Sequence, residues 1–296
     1  MAITRRRMIA SLGGLALAAA GIDAAMIEPK RIAVTRHRIG GRTGAGGPEL
    51  GIVQLTDLHL RGMGPIQERI AEAVTELRPD VIVFTGDSID RPYAVSPFSD
   101  FLELLDPGTP KYAILGNWEH EGGVDLGRLR SVYESANCRL LVNESVIHEH
   151  EGARLLVTGL DDLVAGRPDV KAALQSAPRS TNHMVLAHCP AHRDVIGFGE
   201  SASRDTAGRD PDASSRFAPQ YMLSGHTHGG QVAFLGVAPI RPRGSGRYVA
   251  GWYRRAIPEL YVSRGLGWSG LPIRFGATPE IAFFEFALEP PDDRQA

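Results

Sequence analysis

The stretch Leu223–Gln231 carries two histidines, His226 and His228, one residue apart and bounded by glycines. In a strand such a pair points to one face. In a glycine-bounded loop the two rings can converge on one point. Neutral imidazole is the commonest metal ligand near neutral pH. One His-x-His pair is a weak signal, so partners must come from elsewhere in the chain. Five further metal-capable residues stand in order before it: Asp57, His59, Asp87, Asn117 and His188. Singly, each has a plain structural explanation. Asp87 and Asn117 follow glycines and read as turn residues, and His188 reads as a core histidine. Together they form a pattern, because each set falls directly after an apolar run.

Those runs are the elements that must position them. Gly51–Leu55 reads as a strand ending in Thr56-Asp57-Leu58-His59. Val81–Phe84 reads as a buried strand ending in Thr85-Gly86-Asp87. Tyr112–Leu115 ends in Gly116-Asn117, His183–Ala187 ends at His188, and Tyr221–Leu223 leads into the histidine pair. Helical spacing at Ile66, Ile70, Val74 and Leu77 predicts a helix over Pro65–Leu77, and Phe98–Leu105, Leu126–Ala136 and Val170–Gln175 also read as helical. Arg31–Ile39 alternates as a strand, and Gly40–Pro48 reads as a glycine-rich loop. Strand and helix alternate in the first half, which predicts βαβ units with parallel strands. After Ala136 short strands dominate: Leu140–Val142, Val146–His150, Arg154–Thr158, Tyr248–Tyr253, Glu259–Val262 and Ile281–Phe286. In open α/β sheets ligands bind outside the carboxyl ends of the strands. All seven residues are therefore expected along one edge.

The ordered set Asp-x-His, Gly-Asp, Gly-Asn, His, Gly-His-x-His resembles the calcineurin-like metallophosphoesterases over about Gly51–Phe286. Ser224–Gln231 and Leu260–Gly265 are similar to the exported bacterial phosphodiesterase branch of that family. The resemblance implies an α/β fold of two packed mixed β-sheets flanked by helices, an αββα sandwich. It also implies two divalent metal ions as cofactors, of the Mn, Zn or Fe kind that mixed N and O ligands suit. Asp57, His59 and His228 would hold the first, Asn117, His188 and His226 the second, and Asp87 would bridge them. Two ions about 3.5–4 Å apart clamp the attacking and leaving oxygens of an in-line displacement, and a water shared between them loses a proton near neutral pH. The implied reaction is hydrolysis of a phosphodiester or pyrophosphate.

The chain departs from the family pattern at one position. The family has histidine after the motif asparagine, where it assists the leaving group; here stands Trp118. Indole offers one donor and no general acid. His120 is the nearest candidate substitute, with a surface-loop histidine as its plain alternative. Arg264, after the strand Glu259–Val262, is a candidate for reaching the phosphate or for a structural ion pair. The departure also keeps open a second function, a catalytically impaired metal-binding or scaffolding protein of the same fold. A metallo-β-lactamase-type hydrolase fits less well, because its His-x-His-x-Asp-His cluster is absent from the sequence.

Thr4–Ile9, with Arg5, Arg6 and Arg7, precedes an apolar run from Met8 to Ile22. This order is that of an export signal, and the adjacent arginines resemble a twin-arginine signal. Residues 1–25 are thus expected to be a signal peptide or N-terminal anchor, 30–289 a single domain and 290–296 a polar tail. Residues 199–215, rich in Ser, Arg, Asp and Gly, are expected to be a flexible insertion. The expected location is the periplasm or cell envelope. The chain has 296 residues, enough for one sizeable core, and a formal net charge of −2. That balance carries no basic excess, so nucleic acid is not expected as the main partner. Cys138 and Cys189 read as small buried side chains rather than a disulfide framework. Val232–Ile240 is apolar and is followed by Arg241, Arg243 and Arg247. The plain reading is a core strand and a charged loop. The alternative is an apolar lip, with Phe234 and Leu235, that contacts a membrane surface and a lipid-linked phosphate.

Overall fold

The computed structural model describes residues 5–41, 46–178, 180–195, 219–234 and 237–290. The insertion expected over 199–215, Leu235, and nearly all of the polar tail lie outside the described residues. Two six-stranded mixed sheets pack face to face. Strands are β1 Ala33–Gly40, β2 Glu49–Leu55, β3 Val81–Thr85, β4 Lys111–Ile114, β5 Cys138–Leu140, β6 Glu144–His150, β7 Ala153–Gly159, β8 Asn182–Leu186, β9 Tyr221–Ser224, β10 Gly251–Tyr253, β11 Glu259–Val262 and β12 Glu280–Ala287. The first sheet has the order β1-β12-β2-β3-β4-β5 and the second β10-β11-β9-β8-β7-β6. Strands β2, β3, β4 and β5 run parallel, as do β7, β8, β9 and β11. Strand β12 closes back antiparallel on β2.

Side-chain alternation explains the layers. Ile52, Val81, Val83 and Ile114 face the second sheet and meet Leu155, Val157, Met184, Leu186, Leu223 and Tyr261 in one buried cluster. Their neighbours Val53, Leu55, Ile82, Phe84 and Ala113 point the other way, onto helices. Those helices are α2 Pro65–Leu77, α3 Val95–Glu103 and α5 Leu126–Ser135. They contribute Ile70, Val74, Phe98, Phe101, Leu129 and Tyr133. A strand buried on both faces reads as an unbroken apolar run, which is why Val81–Phe84 was recognisable. The outer face of the second sheet carries a third cluster with Val185, Met222, Leu260 and Val262. The layers therefore form the αββα sandwich implied by the resemblance.

Local departures from the expected elements are small and have physical causes. Helix α3 starts at Val95 rather than Phe98, because Pro97 sits in its first turn, where its missing N–H costs nothing. Asn117–Glu121 forms a short helix α4 instead of a loop. Only Gly251–Tyr253 of the expected strand Tyr248–Tyr253 is paired. At the N-terminus, α1 Arg5–Ile22 runs on through a π-helical turn Asp23–Ile27 and a 3₁₀ turn Glu28–Lys30. Leu12–Lys30 is long and apolar enough to cross a membrane. Among the described residues the remaining α-helices are α6 Val170–Leu174 and α7 His192–Val195. Cys138 and Cys189 are both free and buried.

Candidate metal centre

The parallel strands of the two sheets deliver their carboxyl ends to one edge. Asp57 and His59 follow β2, Asp87 follows β3, Asn117 follows β4, His188 follows β8, and His226 and His228 follow β9. All seven side chains are buried. Asp57, His59 and His228 bring one potential ligand atom each within 4.8 Å of one another, as do Asp87, His188 and His226. His59 Nε2 and His228 Nε2 lie 3.1 Å apart, and Asp57 Oδ1 is 3.5 Å from the latter. His188 Nε2 and His226 Nδ1 lie 3.2 Å apart. Asp87 Oδ2 stands between the groups, 3.1 Å from His188 Nε2 and 3.6 Å from His59 Nε2.

The loops hold these atoms at some conformational cost. Asp57, His59, Asp87, His226 and His228 all have positive φ, between 42° and 71°. Non-glycine residues rarely adopt that region, and clusters of them mark functional sites. Gly225 and Gly116 have another task. A Cβ on Gly225 would lie 2.2 Å from Asp57 Oδ2, and one on Gly116 would lie 2.2 Å from Asp87 Oδ1. Both glycines let backbone close against a carboxylate.

Hydrogen bonds outside the cluster aim the ring nitrogens inward. His188 Nδ1 donates to the Thr85 carbonyl at 2.8 Å, because a carbonyl can only accept. His226 Nε2 donates likewise to the Arg243 carbonyl at 2.5 Å. This leaves His188 Nε2 and His226 Nδ1 facing each other, an arrangement typical of metal-ligating histidine. Asp57 accepts the His226 N–H at 3.0 Å and the Thr56 hydroxyl at 2.9 Å. Asp87 Oδ1 accepts the Trp118 N–H at 2.9 Å, which turns Oδ2 toward the histidines.

Electrostatics favour the neutral form at three of the four imidazoles; at the fourth, His188, burial works the same way but the adjacent Asp87 carboxylate outweighs it and raises the pKa well above the ordinary value. Burial lowers the His226 pKa to about 4, and it lowers His59 and His228 as well. Burial pushes the Asp57 carboxyl up to about 6, against the pull of His188. Burial also opposes charge on Asp87, yet the adjacent His188 outweighs it and holds that carboxyl below its usual range. Two buried carboxylates among four imidazoles are a donor set for divalent cations. The side-chain oxygen of Asn117 and His59 Nδ1 are buried without a hydrogen-bond partner among the described residues. An unpartnered buried amide oxygen at this edge fits a metal ligand and is otherwise costly.

Above the cluster opens a cavity of about 510 Å³. Its floor is Asp87, Asn117, His226 and His228, and its walls include Trp118, Val232, Ile240, Arg241, Leu271 and Ile273. Trp118 stands edge-on to His59, and Arg91 stacks on its indole at 5.7 Å. His120 and Arg264 do not line this cavity. His120 Nε2 pairs with Asp161 Oδ1 at 2.8 Å. Arg264 donates to the Thr278 carbonyl at 2.9 Å and pairs with Glu280 at 3.2 Å. The ion-pair alternative for Arg264 therefore describes its position, and the side chain is held away from the floor by these bonds. Cys189 donates its thiol to Asp162 at 3.1 Å, behind His188.

Three contributors were not legible in the sequence. Glu119 accepts the backbone N–H groups of Asp87, Ser88 and Gly116 at 3.1, 2.6 and 2.9 Å, tying two ligand loops together. Its position three residues after Gly116 at a helix start was the available clue. Arg274, fully buried, donates to the carbonyls of Gly267, Arg264 and Ala277 and lies 3.3 Å from His228 Nδ1, behind the cluster. The wall segment Ser269–Ile273 has no periodicity and gave no signal.

The calcineurin-like phosphoesterase pattern matches residues 50–230. The chain belongs to that family, and it is a phosphoester hydrolase of the metal-dependent kind. It is 31% identical over 300 residues to YkuE of Bacillus subtilis, an uncharacterized metallophosphoesterase, covering 95% of this chain and 97% of that one. It is 29% identical over 292 residues to the phosphodiesterase YaeI of Escherichia coli, covering 96% and 99%. A transmembrane protein with a metallophosphoesterase domain from Bos taurus is 31% identical over 258 residues, covering 78% of this chain and 52% of that protein.

Proposed function

We propose that the chain is a binuclear metal-dependent phosphodiesterase or pyrophosphatase. Asp57, His59 and His228 would hold one divalent ion, Asn117, His188 and His226 the other, and Asp87 both. The observation that carries this reading is Asp87 Oδ2, which lies within 3.6 Å of nitrogen ligands from both groups. When bound, the two ions would acidify a water and withdraw charge from the phosphoryl oxygens.

The chain's own residues supply the rest. Thr85 and Arg243 carbonyls fix the tautomers of His188 and His226. Glu119 fixes the separation of the Asp87 and Asn117 loops. The apolar walls Val232, Ile240, Leu271 and Ile273 would lower the dielectric around a bound substrate, which would strengthen charge interactions there. Trp118 provides a stacking face but no proton for the leaving group. Substrates with good leaving groups are therefore favoured.

Supporting the finer assignments, Mn, Zn and Fe all accept mixed N and O ligands. The arginines Arg5–Arg7 before an apolar helix support export by the twin-arginine route to the periplasm or envelope. There the substrate would be a lipid-linked or nucleotide-like phosphate. Residues 30–289 would then act as one domain behind a signal or anchor at 1–25. Trp118 also supports a second reading, a catalytically impaired metal-binding protein. Purified protein assayed on bis-p-nitrophenyl phosphate with Mn²⁺, Zn²⁺ or Fe²⁺ separates the two. Metal-dependent turnover is expected, and metal binding without turnover would favour the scaffold.

A further inference from the structure

Sixteen large hydrophobic side chains are exposed among the described residues, and ten of them fall in two groups. Five are Leu12, Leu15, Ile22, Met26 and Ile27, on α1 and the turn that follows it. Five are Val232, Ile240 and Leu271, which line the cavity, and Phe234 and Val237, which lie between the first two in sequence. Isolated exposed apolar residues need no explanation, but a contiguous patch does.

The two groups are bolted together. Buried Glu28 ends the helical run, and its carboxylate accepts the Gly276 and Ala277 N–H groups at 2.9 and 2.8 Å and the Thr278 hydroxyl at 3.2 Å. One turn earlier, the Ala24 carbonyl accepts the Arg274 N–H at 2.9 Å. The strip that receives these bonds, residues 274–278, directly follows the wall residues Leu271 and Ile273. Phe275 bridges to Val232, and beyond Ala233 the backbones of Phe234 and Val237 bond to each other in both directions. Phe234 and Val237 are 67% and 66% exposed. A helix fit to enter a bilayer thus leaves the domain beside the rim of the cavity, without a flexible linker between them.

We propose that the cavity mouth docks on the bilayer that holds α1. Val232, Phe234, Val237, Ile240 and Leu271 would enter the interface, and Arg241 at the mouth would meet anionic headgroups. The substrate is then an amphiphilic phosphodiester or pyrophosphate whose apolar tail stays in the membrane. This rests on the phosphoesterase reading above and narrows its substrate class. In the reaction a water oxygen bonds to phosphorus and the P–O bond to the leaving group breaks. The leaving oxygen takes one of the water's protons, and a monoester remains.

The full chain in vesicles of phosphatidylcholine and phosphatidylglycerol tests it. A fluorophore on Phe234→Cys, with native Cys138 and Cys189 buried, should be quenched by lipid-borne quenchers. The same label on Ser131→Cys, exposed on α5, should not be. An unquenched label at 234, or equal quenching at both positions, overturns the proposal. In a second measurement, hexadecyl p-nitrophenyl phosphate in the vesicles is compared with soluble bis-p-nitrophenyl phosphate. The double variant Phe234→Ser, Val237→Ser should lose about tenfold or more on the vesicle substrate and nothing on the soluble one. Equal rates in variant and wild type on the vesicle substrate overturn the docking. No turnover of either substrate with any metal overturns the phosphoesterase reading instead, and the quenching measurement then still decides the docking.

Discussion

His59 and His228 face each other Nε2 to Nε2 across 3.1 Å in a stacked, buried pair, although 169 residues separate them. Two imidazole nitrogens that close, beside the Asp57 carboxylate, form half of a site that needs a cation. Divalent metal should therefore raise the thermal midpoint of the protein, since a ligand bound only by the folded state stabilises it. Isothermal titration should find two ions per chain, falling to one for His228→Ala. Two ions retained by that variant would contradict the ligand assignment.

Asp87 offers one oxygen to both groups. Its replacement by Asn keeps the shape and the acceptor but removes the charge. Turnover of bis-p-nitrophenyl phosphate should fall by at least about 10²-fold, because even residues that merely orient a metal ligand cost up to that much. The circular dichroism spectrum should be unchanged. A near-normal rate would place the shared position elsewhere.

Trp118 replaces a proton donor with an indole, and its backbone N–H, which holds Asp87, is common to any residue there. Trp118→His should therefore keep the centre and add a general acid. Kinetics with phenyl and p-nitrophenyl diesters should show a gain confined to the poorer leaving group, up to about 10²–10⁴-fold. Equal effects on both would mean that the indole acts through packing alone.

Glu119 is a positioning residue, with one carboxylate spread over the amides of two ligand loops. Glu119→Gln turns one acceptor into a donor facing a backbone N–H. A stability loss of about 1–3 kcal/mol is expected in urea unfolding. Metal affinity should weaken in parallel, which a purely structural role far from the centre would not cause.

The His120–Asp161 pair sets a pH window for stability. The hydrogen bond to Asp161 raises the His120 pKa, and it helps hold the Asp161 carboxyl low although burial opposes this. A raised histidine pKa stabilises the fold below its ordinary value of 6.5 and stops doing so as pH rises through the folded value. A lowered carboxyl pKa stabilises above 3.8 and fails as pH falls through the folded value. His120→Ala should thus cost most stability between about pH 4 and 6.5 and little at pH 9. Its kcat on the soluble diester should stay near wild type; a collapse of kcat would restore His120 to a direct role.

Residue types and short periods made much of this protein readable before its structure was known. Val81–Phe84 and His183–Ala187 announced buried strands, and the polar residue after each run announced the edge. Helix α2 followed from its apolar spacing and Pro65. Helix α4 did not, since five residues between glycines hold too little periodicity to reveal it. The seven metal-capable residues could be named from order alone, because a parallel sheet brings the ends of its strands to one side.

Tertiary structure decided what order could not. That His226 turns to His188 while His228 turns to His59 depends on left-handed backbone at both residues, which no local pattern encodes. His120 pairs with Asp161, 41 residues away, and Arg264 with Glu280, because packing of one sheet on the other put those partners within reach. The cavity wall and the seat of Glu28 likewise arise where segments without any repeat meet across the fold. Sequence determined which atoms could do the chemistry; only packing between the two sheets set their distances.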